Sequence, residues 1–598
     1  MRKWFGAIWL FLGLTWLSPA AASAHLQAQF ENRLQQAGLP GAVWALVTPA
    51  AGIATGAAGV SDATTGKPMT PDTRVHVGSV AKTVLAMGVL RLVARGELSL
   101  DTEVAGLLPA LHFDNPWQAS DPIRIRHLLA HTAGLDNFRL RQVFSLRARP
   151  DLPLDQALGM SELAVRARPG ARYVYSSIGY HLLGMVIEAL TRQRYETWLD
   201  AELLQPLGMH DSTFVFTTQR GAGADRRLAM GHFEHRAAYP AVPVFARPAT
   251  QFTTTAADMG RLAVFLMGDG TVGGRPFIDA ALMVALSGAH GTDAVRAGLS
   301  GGHGLALSMR DRHGAIGDCH PGTTIGFQAM LCLYPREGKA FFVAMNADVE
   351  NADYDQFNKL LIDALQLRIA TEPGSAAAPV GIAAWEGMYV PTWSAVASLA
   401  WIDTVFNVVD VRWDGSCLQL SPFQGKPASL QPAGGTLFRA SGRIAPSHVL
   451  LPSDGERVLS DGLRNYRKVP LASLLWLWAS AACGASGLVY ILIRGGWLLV
   501  RGRLGRTSTL SLPLAGVLML FLPMPLFASQ SFMQLGDLTL ASGLLAFATG
   551  ALPCAIVYGL LRLPASTRPA GDCAALLAVA QWLIVLAVWG MIPFVMWQ

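Results

Sequence analysis

A serine and a lysine stand three residues apart at the start of the apolar run "VHVGSVAKTVLAMGVL", residues 75–90. Residues three apart share one face of a helix, so the Lys82 ammonium can reach the Ser79 hydroxyl. In the first helical turn, free backbone N–H groups would favour an oxyanion that develops beside Ser79. A buried lysine is costly unless it is paired or its pKa falls, which is also the property of a catalytic lysine. The pair therefore fits a serine nucleophile with its proton carrier, and it also fits a lysine near the start of a core helix.

Two stretches further along the chain carry polar groups that chemistry could use. In "PGARYVYSSIGYHLLG", Tyr175 falls in a loop before an amphipathic helix, where its phenol can project into a cleft. The stretch "CHPGTTIGFQAMLCLYPREGKAFFVAMNAD" has the pattern strand, turn, strand, turn, strand. His320 lies on the first of these strands, and Gly322 would let a substrate backbone approach that strand closely. Both stretches are places where the protein could meet a substrate.

Four blocks occur in order within residues 30–368: "HVGSVAKTVLAMGVL", "IRIRHLLAHTAGL", "PGARYVYSSIGYHLLG" and "HPGTTIGFQAML". Together they resemble the serine β-lactamase-related family, which includes class C β-lactamases, penicillin-binding DD-peptidases and β-lactamase-fold esterases. The resemblance implies an α/β (α+β) domain of the β-lactamase/transpeptidase-like type, in which helices flank an antiparallel sheet.

The resemblance also implies roles for three catalytic side chains. Ser79 corresponds to the acylated nucleophile, and Lys82 to the residue that lowers its proton affinity. Tyr175 resembles the general base and acid of the family, held near both. A reaction of this kind needs no metal and no organic cofactor.

The same blocks imply a set of substrate-binding residues. His320 and Gly322 match the strand that lines the cleft, and the backbone N–H groups of Ser79 and Thr323 would form an oxyanion hole. The family usually has Tyr-x-Asn at the second block, and this chain has Ser177 in place of the asparagine. A serine hydroxyl reaches less far than an amide and has a single donor. The replacement weakens the case for efficient turnover of β-lactams or D-alanyl peptides, and it leaves esters or unusual peptides open.

The histidines of "RHLLAHTAGL" are four residues apart, a spacing that can hold a metal ion on one helix face. The residues between His127 and His131 lack the glutamate of a zincin motif, and no cysteine spacing resembles a zinc site. The resemblance makes this stretch a structural segment beside the cleft, so we expect no metal. His303, in "SGGHGLALSM", is expected in a strand or turn without a catalytic role.

The first 24 residues have the layout of a secretory signal. Arg2 and Lys3 precede the apolar stretch 4–17, and "ASA" at 22–24 forms a small-residue cleavage site. The alternative is an uncleaved N-terminal anchor. In either case the domain that follows is exported.

Four apolar stretches near the C-terminus are long enough to span a bilayer. They are predicted at 471–493, 510–528, 539–561 and 573–596. Arginines follow the first and third stretches, whereas the loop after the second, "SQSFMQLGD", has no lysine or arginine. By the positive-inside rule, the first and third loops are cytoplasmic and the domain before the first span is extracytoplasmic, on the periplasmic or cell-exterior side. We therefore expect a multi-pass membrane protein.

Composition divides the chain into a hydrolase-like domain at 25–370, a Pro/Gly/Ala linker at 371–382, a small β-rich module at 383–468 and the membrane region at 469–598. The net charge of +6 comes from the two ends of the chain, so we expect no nucleic-acid partner. Cys319, Cys332 and Cys417 lie in the exported part, where an oxidising compartment would permit a Cys319–Cys332 bridge between neighbouring strands.

These observations favour a membrane-tethered serine hydrolase that forms an acyl-enzyme on a β-lactam, a D-amino-acid peptide or an ester. Its partner would be a small molecule or a peptide, cell-wall-derived peptides included. The alternative is a non-catalytic receptor of the penicillin-binding type, or a membrane-complex component that uses the fold to bind a ligand. The short cytoplasmic loops offer little to carry a signal.

Overall fold

The computed structural model describes residues 19–160, 162–394, 399–505 and 508–597. Most of the predicted signal sequence, residues 1–18, lies outside these ranges. The described residues form a helix-and-sheet domain, a β-barrel and a bundle of long apolar helices.

An antiparallel sheet forms the centre of the first domain, and within the described ranges it has seven strands. Its strands are β1 Gly41–Thr48, β2 Gly52–Asp62, β3 Lys67–Pro68, β4 Ser308–Arg312, β5 Ala315–Thr324, β6 Phe327–Tyr334 and β7 Lys339–Met345. The spatial order is β4-β5-β6-β7-β1-β2-β3. The N-terminal strand β1 pairs with β7, which lies near the C-terminal end of the domain. The sheet therefore holds the two ends of the domain together.

Helices cover both faces of this sheet, which confirms the predicted architecture. The longer helices are α1 Pro19–Ala37, α2 Val80–Ala94, α3 Ser177–Thr191, α4 Ala256–Leu266 and α5 Asp355–Leu365. Helices α1 and α5 bury Phe30 and Phe357 on one face, and α2 and α4 pack on the other. Shorter helices span Val104–Leu107, Ile125–Leu129, Leu140–Val143, Leu154–Leu158, Tyr195–Leu199, Arg247–Thr250, Ala280–Val284 and Asp293–Arg296. Short strand pairs join Val75–His76 to Thr253–Thr254, His112–Asp114 to Glu162–Ala164, Gly231–His232 to Ala238–Tyr239 and Thr271–Val272 to Arg275–Pro276.

Helix α2 lies in the middle of the domain and is buried on nearly every side. Its apolar residues belong to the main core, and Lys82 is buried with them. The helix ends at Ala94, and Gly96 follows with a φ of +73°, a conformation that glycine adopts without strain. The predicted helix and its predicted glycine stop are therefore confirmed.

A disulfide joins β5 to β6 at the positions where the two strands are in register. Cys319 lies directly opposite Cys332, and both residues are buried. The bridge therefore ties together the strand that carries His320 and its neighbour.

Removing this disulfide should destabilise the first domain. In the chain-entropy view, closing a loop with a sequence separation of 13 residues contributes roughly 3 kcal/mol to the free energy of unfolding. We expect the double variant Cys319→Ser/Cys332→Ser to unfold at a clearly lower temperature than the wild-type chain in detergent. The matched control is Cys417→Ser, which removes a free cysteine. An unchanged midpoint in the double variant would contradict the expectation.

The predicted β-rich module is a closed antiparallel barrel, in which the structure describes eight strands. They are β8 Gly387–Pro391, β9 Val409–Trp413, β10 Leu418–Pro422, β11 Ala428–Gly434, β12 Leu437–Ala440, β13 His448–Ser453, β14 Glu456–Ser460 and β15 Asn465–Val469. The barrel closes because β8 pairs with both β9 and β15. Helix α6, Ala400–Phe406, lies between β8 and β9 along the chain.

Long apolar helices follow the barrel. They are α7 Leu471–Val500, α8 Ser511–Met519 with α9 Pro523–Ser529, α10 Leu540–Leu561 and α11 Pro569–Val588. Counting α8 and α9 as one, four segments of the described chain are long and apolar enough to cross a membrane. The last helix was predicted at 573–596, but it begins four residues earlier and ends at Val588, because Gly590 with a φ of +73° turns the chain.

The loop between α9 and α10 is docked on the first domain. The buried Asp537 carboxylate accepts hydrogen bonds from the Ser145 hydroxyl and, at 3.1 Å, from the Leu146 N–H. The Gly536 N–H donates to the Phe144 carbonyl at 2.7 Å. This loop and the first domain therefore lie on the same side of the apolar helices.

Candidate active site

The structure brings the side chains of Ser79, Lys82 and Tyr175 into direct contact. The Tyr175 hydroxyl donates a hydrogen bond of 2.7 Å to Ser79 Oγ. Lys82 Nζ donates to the same oxygen at 3.0 Å and to the Ala249 carbonyl at 2.9 Å. Ser79 directly precedes the first residue of α2, so its oxygen lies at the N-terminal end of that helix. One hydroxyl thus meets a phenol and an ammonium in a single site.

The buried Lys82 ammonium is held by polar and aromatic groups. Its Nζ lies 4.9 Å from the centre of the Tyr175 ring and 5.8 Å from that of Tyr180, within the range of a cation–π contact. In the part of the chain that the structure describes, no carboxylate forms an ion pair with this lysine. Its partners are therefore the serine oxygen, one carbonyl and two ring faces.

The Ala249 carbonyl belongs to the short helix Arg247–Thr250, and a buried ion pair holds that helix in place. Arg247 Nε lies 3.1 Å from Glu196 Oε1, and both side chains are almost inaccessible to solvent. Arg247 Nη1 also donates to the Leu152 carbonyl at 2.7 Å. The carbonyl that accepts the hydrogen bond from Lys82 is thus held in place by a buried ion pair.

Strand β5 runs against the N-terminal end of α2, as the third sequence block requires. A Cβ atom on Gly322 would lie 2.0 Å from the Val77 carbonyl oxygen and 3.1 Å from the Ser79 nitrogen. A Cβ atom on Gly78, whose φ is +52°, would lie 2.4 Å from the Thr323 carbonyl oxygen. The sequence indicated that Gly322 would admit a substrate, whereas the neighbour that it admits here is the start of α2. This close approach brings the Thr323 backbone next to Ser79.

Ser177 lies beside this site without joining the contacts of Lys82. It is the first residue of α3, and its N–H donates to Asn137 Oδ1 at 2.9 Å. The preceding Ser176 caps the helix, because its hydroxyl accepts from the Gly179 N–H at 3.3 Å. Within the described residues, no hydrogen bond joins the Ser177 side chain to Lys82. Asn137 thus fixes the backbone of the position where the family usually has its asparagine.

A row of buried histidines lies behind Tyr175, and no pattern in the sequence predicted it. The His131 ring packs on the Tyr175 ring at 4.4 Å, His303 lies 5.0 Å from His131, and His320 lies 5.9 Å from His303, all between ring centres. His127, by contrast, accepts from the Arg124 N–H at 3.2 Å through Nδ1. Among the described residues, no group of three or more His, Cys, Asp and Glu side chains has a metal-binding arrangement.

Burial keeps these three histidines neutral. It lowers the pKa of His131 well below its ordinary value, that of His303 to about 4 and that of His320 to about 3. The positive charge of Lys82 lowers all three pKa values further. The environment of Tyr175 therefore contains uncharged imidazoles and one ammonium.

Acid should destabilise the fold around this row. Below about pH 6.5 the unfolded chain protonates His303, whereas the folded chain does so only near pH 4, so folding loses stability as the pH falls through that window. A pKa difference of this size between the folded and the unfolded chain corresponds to roughly 3 kcal/mol in the free energy of unfolding. We expect the thermal midpoint of the full chain in detergent to fall between these pH values. His303→Gln should flatten this dependence and the exposed His210→Gln should not, so equal slopes in all three proteins would contradict the assignment.

A cavity of about 570 Å³ opens between Tyr175 and the barrel. The Asn465 amide donates to the Tyr173 carbonyl at 3.1 Å, and Arg172 Nη2 donates to the Ser453 carbonyl at 2.9 Å, so the barrel is attached to the segment that carries Tyr175. The residues that line the cavity are Tyr173, Val174, Tyr175, Pro391, Thr392, Trp393, Asp403, Asn407, Val409, Pro422, Gln424, Leu463, Arg464, Asn465 and Tyr466. Most of this wall comes from the barrel module, and no sequence pattern had connected that module with the site.

Comparison with known proteins agrees with this architecture. Residues 26–366, more than half of the chain, match the Beta-lactamase family. The chain therefore belongs to the β-lactamase family. It is 36% identical over 210 residues to Esterase EstB of Burkholderia gladioli, a match that spans 33% of this chain and only about half, 53%, of that esterase. It is 28% identical over 391 residues to Penicillin-binding protein 4 of Amycolatopsis lactamdurans, spanning 61% of this chain and 97% of the relative.

The fold is also similar to that of a solved structure. The crystal structure of SurE superposes with a TM-score of 0.51 at 24% identity, covering 75% of this chain and 99% of SurE. That share is larger than the segment matched by the β-lactamase family, so the likeness in fold extends beyond residue 366.

Proposed function

We propose that the protein is a serine hydrolase that works through an acyl-enzyme, with Ser79 as the nucleophile and Lys82 and Tyr175 as the groups that handle its proton. The observation that carries this proposal is the position of Ser79 Oγ, 2.7 Å from a phenol and 3.0 Å from an ammonium. A serine hydroxyl is a weak nucleophile until an adjacent group takes its proton, and the Tyr175 oxygen lies close enough to take it.

The proposed reaction has two steps. Ser79 Oγ bonds to the carbonyl carbon of the substrate and gives its proton to the Tyr175 oxygen, while Tyr175 gives its own hydroxyl proton to the leaving oxygen as the bond between carbon and that oxygen breaks. The Lys82 ammonium balances the negative charge on the groups around Ser79 during this transfer. Water then bonds to the acyl carbon, the bond from that carbon to Ser79 Oγ breaks, one water proton passes through Tyr175 to Ser79 Oγ, and the carboxylic acid leaves.

An ester is the substrate type that the site supports best. An amide substrate would benefit from a side-chain amide at position 177, where this chain has a serine. One relative is named an esterase and another a penicillin-binding protein, so β-lactams and D-amino-acid peptides are tested beside esters as candidate substrates. We further propose that the four apolar helices tether the enzyme to a membrane with its catalytic domain on the extracytoplasmic side. The signal-like N-terminus and the arginines after the first and third spans support this orientation.

The test is a comparison of substrates with the full chain in detergent. Short-chain nitrophenyl esters, D-alanyl-D-alanine peptides and a fluorescent penicillin are supplied separately, and turnover and covalent labelling are measured. We expect ester turnover to exceed turnover of the other two. A stable penicillin adduct without turnover of any substrate would favour the receptor alternative, and the absence of both adduct and turnover would refute the hydrolase proposal.

A further inference from the structure

Helix α6 separates the cavity beside Tyr175 from the membrane-length helices. Asp403 and Asn407, four residues apart, line the cavity from one side of this helix. Trp401 and Val405 lie on a different side and pack against α7 and α11. Trp478 of α7 donates its indole N–H to the Val405 carbonyl at 3.0 Å. A single short helix is therefore both a wall of the cavity and a contact of the membrane region.

In the proposed membrane arrangement, this wall lies at the level of the membrane surface. Trp478 is seven residues into α7, which is ~10 Å along a helix axis. Its ring stacks on Phe423 of the barrel at 5.2 Å, and Trp582 of α11 lies 6.5 Å from Trp401. Aromatic residues of this kind concentrate where hydrocarbon meets water. The cavity therefore adjoins the headgroup layer of a bilayer that surrounds α7 and α11.

Helix α6 and the barrel also carry exposed apolar side chains. Ile402 and Phe406 are four residues apart on α6 and both are exposed, as is Phe423 on the barrel. Exposed apolar side chains beside aromatic residues are typical of segments that sit in the headgroup region. A substrate with its chain in the bilayer could thus reach the cavity without leaving the membrane surface.

The cavity also presents polar donors that the protein does not use. The Arg464 guanidinium is exposed on the cavity wall and forms no ion pair or hydrogen bond with any residue the structure describes. The Trp393 indole N–H is buried without a partner in the described chain, and Trp393 lines the same cavity. The Asp403 carboxylate also lines the cavity, where it accepts from the Ser394 hydroxyl and, at 2.7 Å, from the Asn407 amide, and among the described residues it forms no ion pair with Arg464. The Arg464 guanidinium and the Trp393 indole N–H are therefore the donors in this cavity that favour an anionic ligand.

We propose that the substrate is an acyl ester of an anionic membrane amphiphile, whose phosphate or carboxylate is bound by Arg464 and the Trp393 indole while its chain stays in the bilayer. This inference rests on the proposed hydrolase function and adds a substrate class to it. The barrel module then has a role in specificity, because it supplies the side chains that bind the anion, whereas Ser79 is the nucleophile that attacks the ester.

The experiment uses the full chain reconstituted in phosphatidylcholine vesicles and four fluorogenic esters with the same leaving group. Two are long-chain esters embedded in the vesicle, one with a phosphoglycerol headgroup and one with a phosphocholine headgroup. Two are short-chain soluble esters, one neutral and one carrying a phosphate. We expect kcat/KM to be highest for the embedded anionic ester, at least about tenfold above its phosphocholine counterpart, which corresponds to the net value of one charge-assisted contact.

Variants separate recognition from catalysis. Arg464→Ala should lose about tenfold or more in kcat/KM on the embedded anionic ester, Arg464→Lys should lose less, and neither should alter turnover of the neutral soluble ester. Arg457→Ala is the matched control, because Arg457 is a barrel arginine that donates to the Ala384 carbonyl and lies outside the cavity lining.

Three results would overturn the proposal. They are equal rates on the two embedded esters, a soluble phosphate ester that matches the embedded one, and an Arg464→Ala loss that is the same on the neutral ester. Failure of the hydrolase function itself would look different, because no ester would be turned over and Ser79 would not be labelled by a fluorophosphonate.

Discussion

Replacing Ser79 by alanine is expected to abolish labelling by a fluorophosphonate and to lower kcat for ester hydrolysis by about 10⁴-fold or more. The reason is that Ser79 Oγ is the shared contact of the Tyr175 hydroxyl and Lys82 Nζ. Without that oxygen, no acyl-enzyme can form, and only the contribution of binding and of oxyanion-stabilising donors remains. The measurement is steady-state ester hydrolysis by the full chain, together with mass analysis of the labelled peptide.

The control for this variant is Ser375→Ala, which removes a serine hydroxyl from the exposed segment before the barrel. It should label and turn over ester as the wild-type chain does. Because the alanine removes one oxygen from a half-buried position, the fold should persist, and the thermal midpoint of Ser79→Ala checks this. Labelling that persists on another residue, or an unchanged kcat, would show that Ser79 is not the nucleophile.

Much of the fold could be predicted because its signals are local. The apolar run after Ser79 predicted α2, and the alternation of strands and turns after Cys319 predicted β5 to β7. The β-rich module, though not its closure into a barrel, also followed from short strand-like pieces that are separated by turn residues. The four apolar stretches were long enough to identify from hydropathy alone.

The surroundings of the site could not be predicted because they come from distant parts of the chain. The carbonyl that binds Lys82 is 167 residues away, at Ala249, and the residue type does not indicate what a backbone oxygen will bind. The imidazoles of His131, His303 and His320 meet only because three separate segments converge behind Tyr175. A single histidine in a sequence does not indicate which others it will contact.

The barrel and the membrane loop illustrate the same limit at a larger scale. Composition predicted a β-rich module, but only the pairing of β8 with β15 closes it into a barrel. In the sequence, the loop that carries Asp537 was informative only because it lacks lysine and arginine, which indicated its side of the membrane. In the structure, the Asp537 carboxylate accepts a hydrogen bond from Ser145, which is 392 residues away. Long-range polar contacts of this kind leave no periodic trace, since each involves one residue from each segment.

Replacing Lys82 by methionine should lower kcat for ester hydrolysis by about 10³-fold while leaving the protein folded. Methionine retains the length of the side chain and removes the ammonium, so Ser79 Oγ loses its 3.0 Å donor and Tyr175 loses the charge above its ring. Stability should change little. Removing a buried charge that has no carboxylate partner relieves a desolvation cost, and the Ala249 carbonyl left without its donor costs about 1–3 kcal/mol in the opposite direction.

The matched control is Lys359→Met, which removes an exposed ammonium paired with Asp363 four residues later on α5. That pair contributes only a few tenths of a kcal/mol, so both activity and thermal midpoint should stay near the wild-type values. If Lys82→Met hydrolyses ester within about tenfold of the wild-type rate, the ammonium has no part in the proton transfer. If it instead fails to fold, the buried lysine is structural, because a catalytic group held at a cost to stability can be removed without loss of the fold.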